Sequence, residues 1–115
     1  MSIDNAECEK ILSTLGVIPS ASDLTLVRSI CVAVSTRAAK LAVAGLSAVI
    51  KKIGAEELTV AVDGSLYKKH PTFKSNMEKT LKELVPGVNV KLMLSEDGSG
   101  KGAALVAAVA ARLSS

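Results

Sequence analysis

The stretch "LTVAVDGS", residues 58–65, decides the fold. Leu58, Val60 and Val62 alternate with Thr59, Ala61 and Asp63, the two-residue period of a half-buried strand. It ends in a small turn sequence, Asp63-Gly64-Ser65. A second stretch, "VNVKLMLS" (88–95), reads as another strand. Between them, Pro71 suits the first turn of a helix. Phe73, Met77, Leu81 and Leu84 mark that helix's buried face, and Pro86-Gly87 stops it. Beyond the second strand the alanine-rich run 103–113 predicts a final helix, strongly helical and closely packing. Strand, helix, strand, helix implies a parallel pair joined by a right-handed crossover.

Upstream the pattern is helical. Asp4 and Glu7 give a capping-box-like start, Ile11, Leu12 and Leu15 an apolar stripe, and Gly16 a stop. After a turn at 19–22, Ser22 or Asp23 caps a long helix closed by Gly54. Its apolar positions are Leu24, Val27, Ile30, Cys31, Val34, Ala38, Leu41, Gly45, Ala48 and Val49, at three- and four-residue steps. Small residues at Ala38, Ala39, Ala42, Ala44 and Gly45 would admit a close neighbour. The predicted α/β chain is therefore helices over 4–15 and 23–53, strand 58–63, helix 71–84, strand 88–94 and helix 99–113. Two parallel strands are too few for an independent sheet, and such sheets want both faces covered. The chain reads as the closing half of a larger α/β domain.

Composition narrows the partners. With 115 residues the chain is one domain at most. A 49% apolar content excludes a disordered chain, while one Phe, one Tyr and no Trp leave little for stacking on nucleic-acid bases. The net charge of +3 is mild, and the only basic doublets, Lys51-Lys52 and Lys68-Lys69, fall short of a basic tract. No nucleic-acid partner is expected. Cys8 and Cys31 lack metal-ligand spacing and have one histidine to help them, so buried free thiols are expected rather than zinc or a disulfide. The polar N-terminus lacks the apolar core of a signal peptide. The apolar run at 38–50 is short and interrupted for a bilayer. A soluble, cytoplasmic protein with no membrane segment is the expectation.

The loop "SEDGSGKGAA" (95–104) has the outline of a phosphate cradle. In the pattern G-x-x-x-x-G-K-[ST], the first glycine opens the turn and the final hydroxyl holds magnesium. Aligning Gly100-Lys101 puts Ser95 at the first position and Gly102 at the last. Both positions with a chemical task fail, so this is no P-loop. Gly98, Ser99, Gly100 and Gly102 still sit at a helix N-terminus, with free amides and a positive dipole end that can bind phosphate. The alternative is a glycine turn that lets the helix dock. The loop at 63–65 leaves the other strand at the same edge, where ligands of open α/β sheets gather.

The acids have simpler tasks open to them. Asp63, before Gly64, suits bonding to its own turn. Glu96 and Asp97 suit the dipole of the last helix. His70 precedes Pro71 and fits helix entry, and Lys101 fits a solvent-exposed first turn.

"TVAVDGSLYKKHPTF" and "LSEDGSGKGAALVAAVAARL", with "ILSTLGVIPS" and "VSTRAAKLAVAGL" before them, resemble the C-terminal part of the large domain of eukaryotic hexokinases. The four blocks fall in that family's order over nearly the whole chain. The resemblance implies a ribonuclease-H-like, actin-like ATPase domain, of which residues 1–115 are the closing part. It also implies a parent that uses ATP with magnesium to phosphorylate the 6-hydroxyl of glucose or another hexose. By resemblance Ser65, Leu66, Tyr67, Lys68 and Lys69 line the adenosine side of the ATP site. Asp63, Gly64, Ser65 and Ser99 contact the phosphate of glucose 6-phosphate. The family's catalytic aspartate, its sugar-binding residues and its D-x-G-G-T phosphate loop have no counterpart here. No catalytic or metal-binding residue is therefore assigned, and the segment is expected to be inactive alone. The rival expectation is a stand-alone phosphate-binding or interaction module that oligomerises through its open sheet edge.

Overall fold

A computed structural model describes residues 5–115. The capping role expected of Asp4 lies outside the described residues. Helix α1 (Asn5–Thr14) leads into the long α2 (Ala21–Ile53). Strand β1 (Glu57–Asp63) follows, then a short α3 (Ser65–Lys69) and α4 (Phe73–Leu84). Strand β2 (Asn89–Ser95) and α5 (Gly98–Leu113) complete the chain. The two strands pair in parallel, with Glu57 opposite Asn89 and Asp63 opposite Ser95. This in-step register places both strand C-termini side by side.

Two helix starts differ from expectation. The cap of α2 is Ser20, not Ser22 or Asp23. The Ser20 hydroxyl accepts the Asp23 N–H at 3.2 Å, and Ser20 N–H donates to the Asp23 carboxylate at 2.9 Å. Asp23 is thus the reciprocal member of a capping box. Lys51 and Lys52 lie in the last turn, and Gly54 closes α2 at φ 72°, where a glycine is at least cost. The helix expected over 71–84 is present as α4, and a short helix that was not expected, α3, precedes it. Ser65 opens α3, and His70, before Pro71, is extended (φ −75°, ψ 126°), as the proline ring imposes. Thr72 then precedes α4, which starts at Phe73.

The core lies between α2, α4 and one face of the sheet. Ala39, Val43 and Ile50 from α2 meet Phe73, Met77, Leu81 and Val85, with Leu92 beneath. Leu58, Val60, Val62, Val90 and Leu94 pack against that cluster. The face of α4 is the one expected, except that Leu84 is largely exposed. The face of α2 is the expected one only in part: Leu24 of the expected stripe is buried and Ala38 packs against the core. Ile30, Val34, Leu41 and Val49, all in the expected stripe, are exposed, as are Ala42, Ala44 and Gly45. The stripe that packs is Ala39, Val43, Ser47 and Ile50, also at helical spacing. Helix α2 is apolar on more than one side, so periodicity alone could not choose between faces. In α1 it is Cys8 that is buried, while Ile11 and Leu15 are exposed.

Helix α5 buries no residue, against the close packing expected of it. Leu105, Val106, Val109 and Leu113 face outward. The accessible surface is 8393 Å², where a folded monomer of this mass exposes about 5900 Å². The radius of gyration is 19.4 Å, against about 13 Å for a self-contained domain of this length. Helix α2 is also, at 33 residues with a window of mean hydropathy 1.4, long and apolar enough to cross a membrane. That is a matter of length and composition alone, which a core helix also satisfies, and Ala39, Val43 and Ile50 of α2 pack in the core. Arg28, Arg37 and Lys40 lie along the helix.

Candidate functional site

The paired strand ends enclose a pocket of about 210 Å³ lined by Asp63, Gly64, Ser65, Lys68, Leu94, Ser95, Glu96 and Asp97. Each wall has a local cause. Gly64 adopts φ 137°, ψ 148°, a region open essentially to glycine. A Cβ there would meet nothing within 4 Å, so conformation alone demands the glycine. The chain passes from this glycine straight into α3, whose first residue, Ser65, lines the pocket. On the other wall Asp97 holds a left-handed conformation (φ 51°) before α5, which Asp tolerates better than most residues. Its carboxylate lies over Gly100, leaving no room for a Cβ there.

Two polar contacts tie the pocket together. The Gly98 N–H donates to Asp63 Oδ2 at 3.1 Å. Asp63 therefore caps α5 across the strand pair, rather than its own turn as expected. Lys68 Nζ donates to Glu96 Oε1 at 2.6 Å, joining α3 to the β2–α5 loop. That hydrogen bond, with the Lys68 charge behind it, holds the Glu96 carboxyl below the ordinary glutamate range. Glu96 thus serves Lys68 rather than the helix dipole. Asp97 stands at the N-cap of α5 but makes no side-chain capping hydrogen bond; its backbone carbonyl accepts the Lys101 N–H at 2.9 Å.

The pocket brings together Asp63, Gly64, Ser65 and Lys68 from the predicted set. It leaves out Leu66, which is exposed, and Lys69 and Ser99, both exposed and outside the lining. Tyr67 departs furthest from expectation. It is buried in the core beside Met77 and Leu81, with a hydroxyl that has no hydrogen-bond partner. Tyr67 is absent from the pocket lining. Sequence reasoning missed Leu94 and Ser95 as the facing wall. Their place depends on the in-step register that puts Ser95 opposite Asp63, which local sequence does not specify.

Elsewhere, His70 accepts the Thr72 N–H at Nδ1 (3.3 Å), as a helix-entry residue would. Cys8 and Cys31 are free, but Cys31 is exposed, contrary to the expected pair of buried thiols. Both border a cavity of about 310 Å³ with Arg28, His70 and Asn76. Among the described residues no cluster of three or more His, Cys, Asp or Glu side chains could hold a metal ion.

A family model described as hexokinase matches residues 1–109. The chain belongs to the hexokinase family. It is 49% identical to hexokinase-2 of Homo sapiens across 93% of its own length, and 52% identical to hexokinase-1 of Bos taurus across 90%. In each case it spans 12% of the relative. Among solved structures it is similar to a hexokinase from Schistosoma mansoni complexed with glucose. The TM-score is 0.80 at 41% identity, covering 91% of this chain and 24% of that one. The two-strand α/β arrangement is therefore that of a hexokinase segment. Its open α2 and α5 faces belong to a stretch matching only a small part of each relative.

Proposed function

We propose that this chain is the part of a hexokinase that forms one wall of the nucleotide pocket. In this reading its strands close a ribonuclease-H-like sheet in a cytoplasmic parent enzyme. The parent transfers the γ-phosphoryl of ATP to the 6-hydroxyl of glucose or another hexose. The observation that carries the reading is the pocket at the paired C-terminal ends of β1 and β2, the place where open α/β sheets take their ligands. Gly64, Ser65 and Lys68 form the adenosine side, with Leu66 and Lys69 at its rim. Tyr67 supports α3 from the core instead of touching the base.

The phosphate side is the N-terminus of α5. Gly98 N–H is already engaged by Asp63, which leaves the next amides and the Ser99 hydroxyl to face a phosphate oxygen. Phosphoryl transfer rests on positioning and charge stabilisation. Magnesium neutralises phosphate charge in such reactions, but the described residues offer no cluster to hold it. In this reading metal handling, the general base and the sugar site belong to other parts of the parent. Calorimetric titration with ADP and glucose 6-phosphate tests the assignments: Ser65→Ala should weaken ADP, and Ser99→Ala glucose 6-phosphate. Equal affinities in all three proteins would remove both roles. A coupled assay should detect no glucose phosphorylation by these 115 residues, and turnover above a protein-free blank would contradict that.

The exposed apolar faces of α5 and α2 favour one second reading, a non-catalytic module that self-associates to cover them. A monomer that nonetheless unfolds cooperatively would count against it.

A further inference from the structure

The pocket is oddly charged for a phosphate wall. Asp63, Glu96 and Asp97 contribute three carboxylates, and Lys68 is the one cation among its lining residues. That cation is already taken, at 2.6 Å, by Glu96. The first amide of α5 is likewise taken, by Asp63. An arriving phosphate meets repulsion from three carboxylates and finds its strongest donor occupied. Both members of the pair are more than half exposed, 53% and 63%, so each can trade partners with a solute without unfolding anything.

We propose that Glu96 sets the anion selectivity of this pocket by occupying Lys68. A phosphate-bearing ligand binds by displacing the Glu96 carboxylate from the Lys68 ammonium, whereas a neutral nucleoside packs against the Lys68 alkyl stem on the adenosine side and leaves the ion pair in place. Glu96 is thus an internal competitor that lowers affinity for bare phosphate. The ligand gains Lys68 only by contacts made elsewhere on the wall. The idea rests on the pocket being the nucleotide wall. It assigns Glu96 and Lys68 a selectivity role that the wall alone does not require. Screening does not abolish it, since the two groups touch, but an exposed pair of this kind is worth only a modest factor.

The test is titration of this chain with inorganic phosphate, ADP and adenosine at fixed ionic strength, in wild type, Glu96→Gln, Lys68→Met and the double variant. Glu96→Gln should tighten phosphate and ADP by roughly 2- to 5-fold and leave adenosine unchanged. The gain should vanish when Lys68→Met is added. A gain that persists without Lys68 would show bulk charge repulsion and overturn the exchange. So would equal tightening of adenosine, or no change where wild type binds ADP. If no variant binds ADP or phosphate, the nucleotide-wall reading fails and takes the inference with it. Nitrogen NMR of the lysine ammonium groups gives an independent readout. On saturation with ADP the Lys68 signal should leave its Glu96-paired position, and the Glu96 carboxylate signal should move toward that seen in Lys68→Met. A Lys68–Glu96 pair intact in the saturated protein would refute the proposal.

Discussion

Leu81 and Leu105 are the same side chain in opposite situations, and truncating each to alanine measures how much of this chain is folded around a core. Leu81 is 4% exposed, in contact with the cluster of Met77, Val85 and Leu92, whereas Leu105 is 68% exposed on α5. Removing three buried carbons at Leu81 forfeits their transfer energy and leaves a cavity between two helices and the sheet, about 3 kcal/mol in total. Chains of this size have about 6 kcal/mol at the low end of the usual stability range. Leu81→Ala therefore removes about half. Leu105→Ala uncovers little and gains slightly in helix propensity, so its effect should stay within about 0.5 kcal/mol. Urea denaturation followed by circular dichroism should show a midpoint lower by about 1–2 M for Leu81→Ala and an unmoved midpoint for Leu105→Ala. An equal fall for both would refute the open-α5 arrangement, because it would mean that α5 is packed against something in solution.

Other outcomes follow from single contacts. Asp63→Ala should release the N-terminus of α5, raising hydrogen exchange at its first-turn amides by roughly five-fold, about 1 kcal/mol of capping; the Val43 and Ile50 amides should not change. Ser20→Ala removes the acceptor of the α2 capping box and should cost about 1 kcal/mol in thermal unfolding. The Glu96 carboxyl is depressed by Lys68, so the pair is fully formed above the ordinary value of 4.5 and is lost only as pH falls through the lower folded value. Carbon NMR of Glu96 should show a midpoint below 4.5 that returns to it in Lys68→Met.

What was legible in the sequence was whatever short-range period and punctuation determine. The alternation in β1, the Phe73–Met77–Leu81 face of α4 and the glycine stop of α2 all follow from neighbours a few residues apart. What was not legible depended on which of several apolar faces meets a partner. Helix α2 carries two stripes, and only contact with α4 selects Ala39, Val43 and Ile50. The same limit hid Tyr67: the motif suggested a ligand wall, but one helical turn at Ser65–Lys69 rotates the ring into the core. Asp63 shows the other kind of miss. Its local grammar suggested a self-capped turn, while the in-step strand register brought it within 3.1 Å of an amide 35 residues away.

The buried ring of Tyr67 also gives this protein an optical handle. With one tyrosine and no tryptophan in the sequence, its ultraviolet emission comes from a single site, free of energy transfer to an indole. That site is two residues from Ser65 and next to Lys68, and its hydroxyl has no hydrogen-bond acceptor in the core. A shift in how α3 sits, whether on ligand entry or on assembly with further chain, would change the ring's contact with water and so its brightness. The residue that fails to touch the pocket is thus well placed to report on its movement.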